Sequence, residues 1–80
     1  MRCAELTRQL ERLGFEVRPG KRGGHRIMVH DGLTSFYSKP FNCGHGKNPE
    51  IKPAYVRQIL KLLNNYEQEL IRFLEERNDA

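Results

Sequence analysis

Two of the three histidines in this 80-residue chain sit beside glycine and cations, where acid–base chemistry on an anionic substrate is possible. His25 lies in "KRGGHRIM", residues 21–28, and His45 lies in "CGHGK", residues 43–47. Histidine has an unperturbed pKa of about 6.5, so it gives and takes protons near neutrality. Gly23 and Gly24 carry no β-carbon, which lets a ligand approach the backbone ahead of His25. Beside a phosphodiester, such an imidazole can take the proton of a ribose 2′-hydroxyl or deliver one to the leaving 5′-oxygen. Lys21, Arg22 and Arg26 can then hold the charge that builds in a phosphorane-like transition state. RNA brings its own nucleophile, so this chemistry needs no metal. A solvated loop histidine is the commoner fate of such a residue, and local spacing does not separate the two. His45 is open to three roles: a second acid–base group, a phosphate contact or an ordinary loop residue. His30, just before Asp31-Gly32, reads as exposed. Cys3, Cys43 and His45 show neither CxxC nor HxxxH spacing, so no zinc site is indicated.

The charge distribution supports an anionic partner. Residues 18–57 hold eight cations against Asp31 and Glu50, while the flanking stretches are neutral or acidic. A concentrated positive field attracts polyanions, and nucleic acid is the commonest in a cytoplasm. Lys39, Lys47 and Lys52 extend the basic stretch beyond the glycines as a wider RNA track. A basic but merely solvated loop region is the alternative. No apolar run exceeds three residues, so no membrane span or membrane partner is expected. Two cysteines with no secretory segment ahead of them are expected to remain thiols in a reducing cytoplasm.

The elements that must hold these residues follow from periodicity. Cys3, Leu6, Leu10 and Leu13 form one helical stripe, and Gly14 is placed to end it. "FEVRP" alternates as a half-buried strand. "HRIMVH" and "LTSFYS" flank Asp31-Gly32, a pair favouring a two-residue type I′ hairpin that sets Ile27 opposite Phe36. "KPFNCGHGKNPEIK" reads as loop, and Pro53 suits the first turn of a helix with Val56, Ile59, Leu60 and Leu63 on its apolar face. Beyond Asn64-Asn65 the spacing of Tyr66, Leu70, Phe73 and Leu74 gives a further stripe, as a kinked continuation or a third helix. The whole is an α+β domain with three antiparallel strands and helices on one face. Residues 1–63 form the catalytic and RNA-binding unit, and residues 64–80 a helical extension packed on it. Strand parity puts His25 with Ile27 and Val29, and Met28 on the other side, so either face can be the core.

In order and spacing, "ELTRQLERLGFE", "KRGGHRIM" and "HGKNPEIKPAYVRQILKLL" together resemble the HicA family of bacterial toxins, over about residues 4–63. The resemblance implies a double-stranded-RNA-binding-like α-β-β-β-α fold and metal-independent cleavage of mRNA without a cofactor. It further implies His25 as the catalytic residue, Lys21 or Arg22 as an RNA contact, and a HicB-like antitoxin as protein partner. The family's Gly-Ser-His segment is departed from at Gly24, which stands where the serine would be, and the chain continues past the family's usual second helix. A non-catalytic RNA-binding module of the same fold, and a protein-interaction domain, are the competing readings.

Overall fold

A computed structural model describes residues 1–79. Helix α1 (Cys3–Arg12) buries Cys3, Leu6 and Leu10 along its apolar stripe. Its start is capped from a distant segment, with the Cys3 N–H donating to the Pro49 carbonyl at 3.0 Å. Its end is a Schellman motif: Gly14 adopts φ +94°, its N–H donates to the Glu11 carbonyl, and the Phe15 N–H donates to the Leu10 carbonyl.

Strands β1 (Glu16–Pro19), β2 (His25–Val29) and β3 (Lys39–Asn42) form an antiparallel sheet in the order β1-β2-β3. Met28 is 0% exposed, and its neighbours on the flanking strands, Val17 and Lys39, share its face. Arg26 pairs with Phe41, which is also buried. The Met28 face is therefore the core face, and alternation sends His25, Ile27 and Val29 to the opposite one. Glu16 and Arg18 lie on that outer face as a two-pronged ion pair. The hydrogen bonds and charge of Arg18 hold the Glu16 carboxyl below its ordinary pKa.

The expected Asp31-Gly32 hairpin does not form. β3 begins at Lys39, within the stretch read as loop, and Ile27 pairs with Pro40 instead of Phe36. Residues 30–38 form a long connection whose Leu33 enters the core. His30, expected to be exposed, is 5% exposed and packs edge-on between Phe15 and Phe73. Its Nε2 lies 2.9 Å from the Leu13 carbonyl, and its Nδ1 accepts the Gly32 N–H at 3.0 Å. Burial of these side chains outweighs the local preference of Asp-Gly for a tight turn. Gly32 is needed here for space, because a β-carbon would meet the Phe73 ring at 2.5 Å. Pro40 falls on an edge strand, where its missing N–H is tolerated.

Helix α2 (Pro53–Asn65) opens on proline as expected. Its inward face uses Ile59 with the partly buried Tyr55, Val56, Leu62 and Leu63. Leu60, expected on that face, is 55% exposed, since it falls about 100° round the helix from Ile59, beyond the edge of the inward face. The chain breaks at Tyr66 and resumes as α3 (Glu67–Asp79), which settles the kink-or-helix question in favour of a third helix. Leu70 of α3 joins the core, Tyr66 Oη donates to the Ser35 carbonyl, and Thr34 donates to Glu69.

Cys3 and Cys43, expected as free thiols, are joined as a disulfide with their Cα atoms 5.5 Å apart. Helix α1 starts beside the end of β3, and this brings the two side chains together in the core. No helix among the described residues is long and apolar enough to cross a membrane.

Candidate active site

The loop joining β1 to β2 is closed by its own backbone. The Gly20 N–H donates to the His25 carbonyl at 2.8 Å, and the His25 N–H donates to the Arg22 carbonyl at 3.0 Å. Arg26 braces the same loop from the core face, its Nη1 donating to the carbonyls of Gly23 and His25. A guanidinium has five N–H donors, so Arg26 keeps others for a ligand. The His25 ring lies against Gly20, where a β-carbon would collide with its Nδ1 and Cγ.

The end of β3 completes the site from the other side. The Cys43 N–H donates to the Gly24 carbonyl at 2.7 Å, and Asn42 Oδ1 accepts the Gly44 N–H at 2.8 Å. A β-carbon at Gly24 would lie 2.5 Å from the Gly44 carbonyl oxygen and 2.6 Å from Asn42 Oδ1. The two segments thus press together with no room for a side chain at the position where the family pattern has serine.

His45 reaches the site because its loop is held at both ends. Cys43 is fixed by its disulfide to Cys3, and residues 49–51 pair with the N-terminus. There the Ile51 N–H donates to the Met1 carbonyl, and Arg2 bridges to Glu50. Gly44 at φ +83° and Gly46 at φ +108° supply the left-handed backbone that turns the loop around His45.

Together these segments form a groove of about 490 Å³, lined by Lys21, Arg22, Gly24, His25, Asn42 and His45. Its size suits a nucleotide-sized ligand. Two imidazoles and two cations share it, and no carboxylate is among the lining residues. It can therefore receive an anion and move protons at two points.

Of the residues singled out in the sequence, Lys21, Arg22, Gly24, His25 and His45 come together in this groove. Gly23, Arg26 and Lys47 line a neighbouring depression that also includes His45. Lys39 lies elsewhere, beside Lys61 at the opposite end of β3 from Asn42. Lys52 stands at the N-cap position of α2, without a capping side-chain bond, and lines neither groove. Asn42 and Gly20 are site residues that sequence reasoning passed over. "NCG" carried the signal for the first, since an asparagine that bonds the backbone two residues on forms an Asx turn. Gly20 had no comparable mark beyond its place after Pro19. Among the described residues, no three His, Cys, Asp or Glu side chains gather as a metal-ligand set.

Among known protein families, the model described as HicA toxin of bacterial toxin–antitoxin matches residues 3–64. No curated protein and no solved structure matches the chain. The matched span takes in α1, the sheet, both histidine segments and all but the last residue of α2, and leaves α3 outside.

Proposed function

The chain belongs to the HicA toxin family, and on that premise we propose that it is an endoribonuclease cleaving mRNA by metal-independent acid–base catalysis. The observation that carries this reading is the pairing of His25 and His45 in one cation-rimmed groove. A phosphodiester in that groove places its negative oxygens against Lys21 and Arg22. The ribose 2′-hydroxyl loses its proton to one imidazole, and its oxygen bonds to phosphorus. The bond from phosphorus to the 5′-oxygen breaks, and the departing oxygen takes a proton from the second imidazole. The products are a 2′,3′-cyclic phosphate and a free 5′-hydroxyl. His25 is the principal catalytic residue, and His45 supplies the complementary proton transfer. Lys21 and Arg22 stabilise the charge developing on phosphorus, with exposed Gly23 leaving the strand free to approach and Gly24 letting the two chain segments behind the groove close together. Arg26 and Lys47 contact the RNA beyond the reacting group, while Lys39 and Lys52 serve only a longer path over the surface.

A HicB-like antitoxin neutralises this activity, and the mRNA substrate places the protein in the cytoplasm. A disulfide is unusual there, but Cys3 and Cys43 are 6% and 1% exposed, which limits access of an attacking thiolate. Residues 1–63 carry the chemistry, and the extension of residues 64–80, whose last residue lies outside the described residues, contributes α3 to the fold.

The test is incubation of purified protein with a mixed mRNA in EDTA, beside His25→Ala, with products resolved on a denaturing gel. Cleavage by the wild type and its loss in the variant are expected. Equal cleavage by both would remove His25 from the mechanism. Undiminished RNA binding with no cleavage by either would leave a non-catalytic RNA-binding module.

A further inference from the structure

We propose that a second groove, on the α1 side of the sheet, is a binding subsite for the stretch of RNA strand flanking the scissile phosphate, with Arg8 as its principal phosphate contact. The inference rests on the ribonuclease reading for the identity of the strand. It assigns a role to a helix that the catalytic groove does not include.

The groove holds about 540 Å³ and runs between α1 and the loop around His45. Its polar lining comes from Thr7 and Arg8 of α1, Arg26 of β2, and His45 and Lys47 of the loop. No carboxylate lines it. The acidic residues Glu5 and Glu11 are on the same helix but are absent from this lining, although α1 overall carries two of each sign. The helix thus presents its hydroxyl and one of its arginines to the groove while its acids face elsewhere.

His45 is the residue common to both grooves. A ligand filling the catalytic groove and continuing past His45 therefore enters the second groove without leaving the protein surface. Alternation along β2 puts His25 on the outer face of the sheet and Arg26 on the helix face, so the continuous path wraps around the sheet's end. Cations on both sides of an acid–base ridge, with acids excluded from both linings, suit a polymer with a regularly repeated negative charge. A single-stranded RNA has that charge and the backbone freedom to turn the corner. Arg8 is exposed, so its donors are free to follow successive phosphates.

The experiment measures binding of a fluorescein-labelled, single-stranded RNA 12-mer by anisotropy across a sodium chloride series. The His25→Ala protein is used so that the probe stays intact. In that background Arg8→Gln is compared with Arg12→Gln, which removes the same charge from an exposed position of the same helix outside the groove. Removing one phosphate contact to a single strand lowers the salt slope, log K against log salt, by about 0.7. Arg8→Gln is expected to show that loss with several-fold weaker binding, and Arg12→Gln to retain the parent slope. With a dinucleotide, which is too short to occupy both grooves, Arg8→Gln should weaken binding less than with the 12-mer. Equal slopes for the two variants, or equal weakening on both probe lengths, would overturn the subsite while leaving the catalytic groove in place. Persistent cleavage in His25→Ala alongside the Arg8-specific slope would do the reverse. No RNA binding by any form would reject both.

Discussion

Gly24→Ala is the sharpest test of how the site is built, because a single methyl must enter where two chain segments touch. Gly24 is buried, and its carbonyl accepts the Cys43 N–H. The new β-carbon would lie 2.5 Å from the Gly44 carbonyl oxygen, 2.6 Å from Asn42 Oδ1 and 3.0 Å from the Gly44 carbonyl carbon. Two of these three atoms belong to backbone, so a rotamer change cannot relieve the overlap. Forcing a methyl into packed surroundings costs about 1–3 kcal/mol. Loss of glycine's freedom in the unfolded chain returns about 0.4–1 kcal/mol. The net destabilisation is about 1–2 kcal/mol, equivalent to a fall of roughly 5–15 °C in Tm for a domain this small. The neighbouring Gly23→Ala is the control, since its β-carbon would approach only His45, at 3.7 Å, an ordinary contact distance. Equilibrium urea unfolding of the three proteins, all with the disulfide intact, measures the difference. Gly24→Ala should unfold at clearly lower urea and Gly23→Ala at or slightly above the wild-type midpoint. If Gly24→Ala matches or exceeds the wild type, the close approach of β3's end to the histidine loop is wrong. Gly24→Ser restores the family's residue, yet the same overlap predicts a loss of stability.

Further outcomes follow from other contacts. Gly20→Ala should displace the His25 ring and lower kcat by about 10- to 100-fold, with shifted His25 imidazole NMR signals and little change in the urea midpoint; unmoved His25 signals would contradict the packing. His30→Ala removes a packed ring and the partner of both the Leu13 carbonyl and the Gly32 N–H. It should cost about 2–4 kcal/mol in urea unfolding, and a loss below about 0.5 kcal/mol, within the range of ordinary surface changes, would argue against its burial. Reduction of the disulfide opens a cross-link between residues 40 apart in sequence. By chain entropy this is worth about 4 kcal/mol, so unfolding midpoints with and without dithiothreitol should differ clearly, and identical midpoints would mean that the two sulfurs are not joined.

What was legible in the sequence was local. The α1 stripe, Gly14 as its terminator and Pro53 as the opening of α2 each depend on neighbours within a turn or two. Gly32 looked equally local and was not. Its partner is Phe73, from a helix 41 residues further on, and in place of a hairpin turn there is a long, mostly exposed connection anchored by the buried His30 and Leu33. The same long-range packing draws in His30, whose polar ring and turn-like setting pointed outward. At the site, His25 and its cations stood out in one contiguous segment. Its face of the sheet became definite only once Met28 was seen inside. The arrival of His45 beside it depends on the Cys3–Cys43 link and on residues 49–51 meeting the N-terminus, neither of which leaves a periodic trace. Arg26 illustrates the limit of reading charge alone, since part of its guanidinium is engaged with the loop's own carbonyls.

Helix α3 packs at one end of the sheet, where Phe73 meets His30, while the candidate chemistry lies at the other end of the same strand β2. Five residue steps along the chain separate His25 from His30, about 17 Å at the rise of a strand. Substitutions that far apart, with no shared partners, act additively. A weakening change in α3 therefore lowers the fraction of molecules that are folded without altering the site in those that are. For a bacterial toxin this makes the amount of folded protein per cell adjustable through a helix that lines neither groove.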